Sequence, residues 1–320
     1  MLRIAIAGCG RHSEEHHAAP LAQYAREHPG ELELVAACDL RAERAQRFCA
    51  VYGFRRAYTD LEEMVNEAKP DGVVCVLPYD IAPEVAMWCL RRGLPCTIEK
   101  PLGATREAAH ELARVARQTG TPHMVSVNRR YAPQLRRGLE WARAAGAVRC
   151  VRAAMLRSKR SEPEFIWATG IHIVDAVRHI AGNVVRWECE VIRHPELAAD
   201  WYTVTLWADG GALARVDVLP GTGVAEEVYE MHGEEFRVRV SLPCGSTSAG
   251  AALACWRGNR LELNEVPGAD VPLWRTSGAY SEVEAFVRML KSGEPTLSPV
   301  EAILPSMDLC WDIAEAARRR

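Results

Sequence analysis

Lysine is nearly missing from this sequence: Lys69, Lys100, Lys159 and Lys291 are the only four, while arginine occurs 35 times. Neither charge is in excess, since 39 Lys+Arg face 42 Asp+Glu for a net charge of −3. Such a chain has no global field for gripping a phosphate polymer, so nucleic acid is a poor partner. No apolar run approaches the roughly twenty residues that a bilayer crossing requires. The longest, such as Gly72–Leu77, have the length of a buried strand. Leu2–Ala7 is apolar but has no basic segment or cleavage site, so it does not read as a signal peptide and a cytoplasmic protein is expected. The eleven cysteines never form a C-x-x-C pair, and Cys38, Cys75, Cys150 and Cys255 lie in apolar stretches. They read as reduced packing residues rather than a disulfide framework.

What is present is ordinary globular composition, 48% hydrophobic and 25% charged, over 320 residues, a length that suggests two domains. Up to residue 122 short apolar strands alternate with helical patterns. Arg3–Ala7 is followed by a helix reaching about Glu27, and Glu33–Cys38 by a helix over Arg41–Tyr52. Asp60 is placed to cap a helix ending at Ala68, and Gly72–Leu77 precedes a helix over Pro83–Arg92. Cys96–Ile98 is followed by a helix capped by Thr105. This alternation predicts a doubly wound parallel sheet with helices on both faces. From residue 123 the pattern changes. After a strand at His123–Val127, a helix at Pro133–Ala145 and a helix at Ile171–Ile180, strands follow one another from Val184 to Ser241. Asp209-Gly210-Gly211 and Gly233-Glu234-Glu235 read as hairpin connections. Residues 123–320 are therefore expected to form an α+β domain on a large, mostly antiparallel sheet with one open face. Trp187, Trp201 and Trp207 provide large apolar area near these strands, an open apolar face seeks a partner, and a homodimer or homotetramer through the sheet is expected.

Three features carry chemistry. Gly8-Cys9-Gly10-Arg11-His12-Ser13 follows a strand and opens a helix, as a dinucleotide-binding turn does, with Ser13 in place of the last glycine. The second strand ends at Asp39, whose carboxylate can take the adenosine ribose hydroxyls and repel a 2′-phosphate. That favours NAD, although Arg41 and Arg44 lie close enough to admit NADP. Second, Ile98-Glu99-Lys100-Pro101 stands at the carboxyl end of a parallel strand, where α/β sheets bind ligands. Lys100 can hold a substrate oxygen there, and Lys100-Pro101 is a candidate cis peptide. Third, His172, Asp175 and His179 share one stripe of a helix. No further ligand cluster accompanies them, so pairing on the helix is preferred and no metal is expected. His12, His16 and His17 receive the same reading, as polar residues of the phosphate turn and the first helix.

In this order the three features resemble the glucose–fructose oxidoreductase/inositol dehydrogenase family (Gfo/Idh/MocA), over nearly the whole chain. Asn128-Arg129-Arg130-Tyr131 and the late helix with Glu284-Ala285-Phe286 fit as well. The resemblance implies that Gly8, Cys9, Gly10, Arg11 and His12 line the pyrophosphate and nicotinamide side of the cofactor. It assigns the ribose to Asp39, with Arg44 near it, and has Pro78 and Tyr79 flank the dinucleotide. Glu99 would approach the nicotinamide ribose, with Lys100 at the junction with substrate. Asn128 would join the cofactor residues, and Arg129 would close the cleft. His172 would be the acid/base. Lys159 and Trp167 would belong to the substrate wall, where Arg157, Lys159 and Arg160 either suit a carboxylated sugar such as a uronate or form an exposed basic loop, the reading preferred.

The implied activity is hydride transfer between NAD, with NADP a second candidate, and a secondary alcohol of a sugar, cyclitol or related polyol. One departure bears on it. Many dehydrogenases of this family carry an Asp four residues before the histidine, and here that position is Ala168. Glu164-Phe165-Ile166-Trp167 also replaces the usual glycine-rich stretch. His172 therefore lacks a carboxylate at that position to orient it or raise its pKa. Two alternatives follow: a dinucleotide- or sugar-binding regulator without catalysis, and a lyase or hydrolase that redox-cycles a retained NAD.

Overall fold

The computed structural model describes residues 1–244, 250 and 252–319. The chain divides into two compact units, residues 1–127 with 279–305, and residues 128–278 with the chain end from Ser306.

The first unit is built on strands whose residues are apolar without alternation. β2 (Leu32–Cys38), β4 (Gly72–Cys75) and β5 (Cys96–Glu99) are buried at every position. A strand so buried belongs inside a sheet covered on both faces. With β1 (Leu2–Ala7), β3 (Arg56–Tyr58) and β6 (His123–Ser126) they form a six-stranded parallel sheet in the order β3-β2-β1-β4-β5-β6. This order reverses at β1/β4 and opens a crevice at the carboxyl ends of the strands. The helices between strands start where the sequence places caps. Asp60 Oδ1 accepts from the Glu63 N–H at 2.7 Å, and Thr105 Oγ1 from the Ala108 N–H at 3.2 Å.

The expected boundary after residue 122 differs from this division. β6 pairs with β5, so residues 123–127 complete the first sheet. Residues 279–305 return to the same unit. There the helix Ala279–Ser292 covers β4 so closely that a Cβ on Gly72 would lie 2.8 Å from Phe286.

The second unit carries eight strands: β7 (Cys150–Leu156), β8 (Val184–Ile192), β9 (Trp201–Ala208), β10 (Leu213–Leu219), β11 (Glu226–Gly233), β12 (Phe236–Leu242), β13 (Ala252–Arg257) and β14 (Arg260–Glu265). Their order is β14-β13-β12-β11-β7-β10-β9-β8, antiparallel except where β10 meets β7. Buried and half-buried residues alternate along β9 and β11, as a sheet with one covered face requires. The helices Pro133–Ala145 and Ile171–Ala181 pack on the covered face. Both expected hairpins are present, joining β9 to β10 and β11 to β12. Among the described residues no helix is long and apolar enough to cross a membrane.

Replacing the Asp60 cap removes one satisfied donor from the first turn of its helix. Asp60→Ala is expected to cost about 1 kcal/mol in urea denaturation; unchanged stability would show that the cap contributes nothing.

Candidate functional site

In the first unit the site grows out of the end of β1. Gly8 has φ +93°, and a Cβ there would stand 2.0 Å from the Val76 carbonyl oxygen, so only glycine fits. Its N–H donates to the Cys38 carbonyl at 2.8 Å, which holds the turn against β2. The next N–H, that of Cys9, donates to Asp39 Oδ2 at 2.8 Å, and the Arg41 N–H donates to Oδ1 at 3.0 Å. Asp39 is thus fixed beside the glycine turn. Burial, and then Asp39, push the Cys9 thiol far up, so Cys9 serves through its backbone and packing. A Cβ on Gly10 would meet nothing within 4 Å. Gly10 precedes a helical run from Arg11 to Glu27, and no side chain caps its start. Ser13, in the third glycine position, is 1% exposed, and its Oγ has no hydrogen-bond partner among the described residues.

Of the other residues expected around a dinucleotide, Arg11 pairs with Glu15 at 2.8 Å on the surface, and Arg44 is exposed. Pro78 is exposed and Tyr79 half-buried in the turn after β4. The Pro78 carbonyl accepts the Ala82 N–H that begins the next helix.

At the end of β5, Glu99 is buried and receives two histidines. Nε2 of His17 lies 2.7 Å and Nε2 of His12 lies 3.3 Å from the same oxygen, Oε1. Burial alone would raise the Glu99 carboxyl, but the two rings outweigh it and hold it well below the usual carboxylate range. An ionised carboxylate only accepts, so both Nε2 atoms carry protons in this arrangement. This corrects the reading of His17 as part of a polar face: it is buried, and it anchors Glu99. The cause is a π turn over Glu14–Ala18, which changes the phase of the helix. Lys100 follows Glu99, half-buried, with a cis Lys100–Pro101 bond.

The second unit holds the remaining candidates. Arg129, in the turn Asn128–Tyr131, donates from Nε and Nη2 to the two oxygens of Glu227 at 2.9 and 2.6 Å. Its Nη1 donates to Asn128 Oδ1 at 2.6 Å, and Arg157 also donates to Glu227. Glu227 is fully buried. Burial would raise its carboxyl, yet Arg129 and then Arg157 bring it down to about 2. Glu227 escaped the sequence reading, though it stands in the buried phase of β11 with Tyr229 and Met231, an acid among core positions.

His172 is buried in the first turn of Ile171–Ala181, after the short helix Phe165–Ala168. Asp175 does not join His172 and His179 in a ligand set. It is gripped by Arg130 at 2.7 and 2.8 Å and by the Ser306 hydroxyl at 2.8 Å. Burial, and then Arg130, lower His179 to about 4. Lys159 is exposed and Trp167 half-buried.

Residues 2–128 match the family described as "Oxidoreductase family, NAD-binding Rossmann fold" (GFO_IDH_MocA). Over these residues, which include the six-stranded sheet, the chain is similar to the Gfo/Idh/MocA oxidoreductases. Inositol 2-dehydrogenase 2 of Saccharopolyspora erythraea is 26% identical over 271 residues, 79% of this chain and 78% of that one. A dehydrogenase structure from Chromobacterium violaceum gives a TM-score of 0.85 at 19% identity, covering 99% of this chain and 95% of that one. An oxidoreductase from Agrobacterium radiobacter in complex with NAD+, L-tartaric acid and magnesium gives 0.81 at 19% identity, with 99% and 97% covered. At these identities the two structures speak for the fold. The glycine turn also fits a dinucleotide on its own geometry: open space at Gly10, an uncapped helix start and an orphaned Ser13 hydroxyl.

The Glu227 cluster makes stability depend on pH. The folded-state value lies below the ordinary 4.5, so the contribution, about 3 kcal/mol, is complete above pH 4.5 and is lost as pH falls toward 2. Glu227→Gln is expected to lower stability at neutral pH by about 3 kcal/mol and to flatten this acid limb. Urea titrations across that pH range check it, and a variant that keeps the wild-type slope would contradict the assignment.

Proposed function

We propose that this chain is an NAD-dependent dehydrogenase that oxidises a secondary alcohol of a sugar, cyclitol or related polyol, with carboxylated sugars among the candidates. The observation that carries this reading is the shared edge of the first sheet. The glycine turn with its anchored Asp39 lies at the carboxyl ends of β1 and β2, and Glu99-Lys100 at that of β5. Asp39 favours NAD, because a carboxylate beside a 2′-phosphate would repel it; the NAD+ in the Agrobacterium radiobacter structure supports the same cofactor. The relative named for inositol 2-dehydrogenation supports a polyol substrate. The eleven free cysteines favour a reducing compartment, and so the cytoplasm.

When bound, NAD+ supplies the hydride acceptor. Lys100 holds the alcohol oxygen and stabilises charge on it as the carbonyl forms. His172 takes the hydroxyl proton. Lys159 and Trp167 serve as the substrate wall. Arg129, whose fork is occupied by Glu227, acts by holding its own turn in place. The open face of the eight-stranded sheet carries Trp207, with the Arg186 guanidinium 3.9 Å from its ring centre, and serves a homodimer or homotetramer.

Lys100→Ala is expected to abolish turnover while leaving NAD+ affinity within about twofold; equal turnover by variant and wild type would remove Lys100 from the mechanism. A panel of polyols, cyclitols, aldoses and uronates, read by nicotinamide absorbance with NAD+ and NADP+ separately, should give turnover with one class and a preference for NAD+. Tight NAD+ binding with silence across the panel would instead favour a sensor or a cofactor-retaining lyase. Sedimentation at micromolar concentration should show an oligomer, and a monomer would refute the sheet-face assembly.

A further inference from the structure

The pair of histidines on Glu99 has a second chemical meaning. One ring nitrogen each of His12 and His17 and a Glu99 oxygen all lie within 4.8 Å of one another. Two imidazoles and one carboxylate are the donor set of a familiar class of open zinc sites, in which three protein ligands leave a fourth position for water or substrate oxygen. We propose that His12, His17 and Glu99 form a binding site for one divalent transition ion of the zinc type. The site goes beyond the redox reading and stands without it.

The spacing suits such an ion. Ligands about 2.0–2.1 Å from a tetrahedral centre lie roughly 3.3 Å from each other. The His12–Glu99 separation is already 3.3 Å, and the His17–Glu99 contact of 2.7 Å has to open by only about half an ångström. Nitrogen donors select zinc, nickel, cobalt or copper over magnesium and calcium. Charge points the same way. Glu99 is buried, and a divalent ion would balance a carboxylate there. Access is open from one side, because the His12 side chain is 52% exposed while those of His17 and Glu99 are 8% exposed.

The backbone is shaped for this convergence. In a regular α-helix residues five apart point about 140° away from each other, so His12 and His17 could not meet. Here the helix contains a π turn over Glu14–Ala18, with the Ala19 N–H bonded to the Glu14 carbonyl, and residues five apart come round to one side. Such turns carry a cost in helix geometry and are concentrated at functional sites. The three ligands also stand at the carboxyl edge of the parallel sheet, His12 just after the glycine turn and Glu99 at the end of β5.

The test uses the full-length protein, stripped with a chelator and equilibrated with Zn2+ by dialysis, with the metal counted by elemental analysis. The expected result is one Zn2+ per chain. His12→Ala, which folds because that side chain is half exposed, should weaken binding about 100-fold. Glu99→Gln should do the same, and His194→Ala, a surface substitution elsewhere, should not. The Co2+-loaded wild type should show the strong visible bands of a four-coordinate ion, absent in His12→Ala. No stoichiometric Zn2+, or equal affinity in wild type and His12→Ala, would overturn the proposal and leave a purely hydrogen-bonded triad. NAD+ titrations on the same samples keep that outcome separate from the fate of the dehydrogenase reading.

Discussion

Everything at the edge of the first sheet depends on the lack of a side chain at Gly8. The Val76 carbonyl oxygen occupies the place where a Cβ would be, and the left-handed φ of +93° excludes other residues twice over. This close approach lets β1 pair with β2 and β4 together and then turn at once into a helix. From that turn the Cys9 N–H reaches Asp39, the helix start is left without a side-chain cap, and the space beside Gly10 stays open. The same helix then delivers His12 and His17 to Glu99. The open glycine turn and the histidine pair are two consequences of one packing constraint.

Glu99 in the first unit and Glu227 in the second are both buried carboxylates with polar partners, but the partners differ in kind. Glu227 has two guanidiniums, which stay charged at any accessible pH, and a tyrosine hydroxyl at 3.2 Å. Such a cluster is permanent, and its removal leaves buried charge unpaired. Glu99 has two imidazoles, which can give up protons, change tautomer or accept an ion. A fixed buried pair is suited to holding a fold, and an adjustable one to chemistry.

Much of this was legible in the sequence where a local signal exists. The uninterrupted apolar runs of β2 and β4, the caps at Asp60 and Thr105 and the glycine turn each act within a few residues. β3, of three residues, and β13 and β14 were not legible, because β14 is largely exposed and lacks the alternation of its neighbours. His17 was misread for a different reason: a periodicity of 3.6 puts it on the wrong side of the helix, and only the π turn restores it to Glu99. The resemblance draws attention to Arg129 but not to its partner. Glu227 is 98 residues away, and such pairings are made by register, not by neighbours in the chain. The return of residues 279–305 to the first unit is likewise a fact of tertiary packing.

The most direct test of the dinucleotide seat is NAD+ titration of the Gly10→Val variant, followed by isothermal calorimetry beside the wild type. A Cβ at Gly10 would meet no protein atom within 4 Å, so the variant should fold with an unchanged melting temperature. It should nevertheless lose NAD+ binding, because the added methyl groups fill the space where the pyrophosphate approaches the backbone. A folded variant that binds NAD+ as the wild type does would contradict the account, for the cofactor would then have to lie elsewhere.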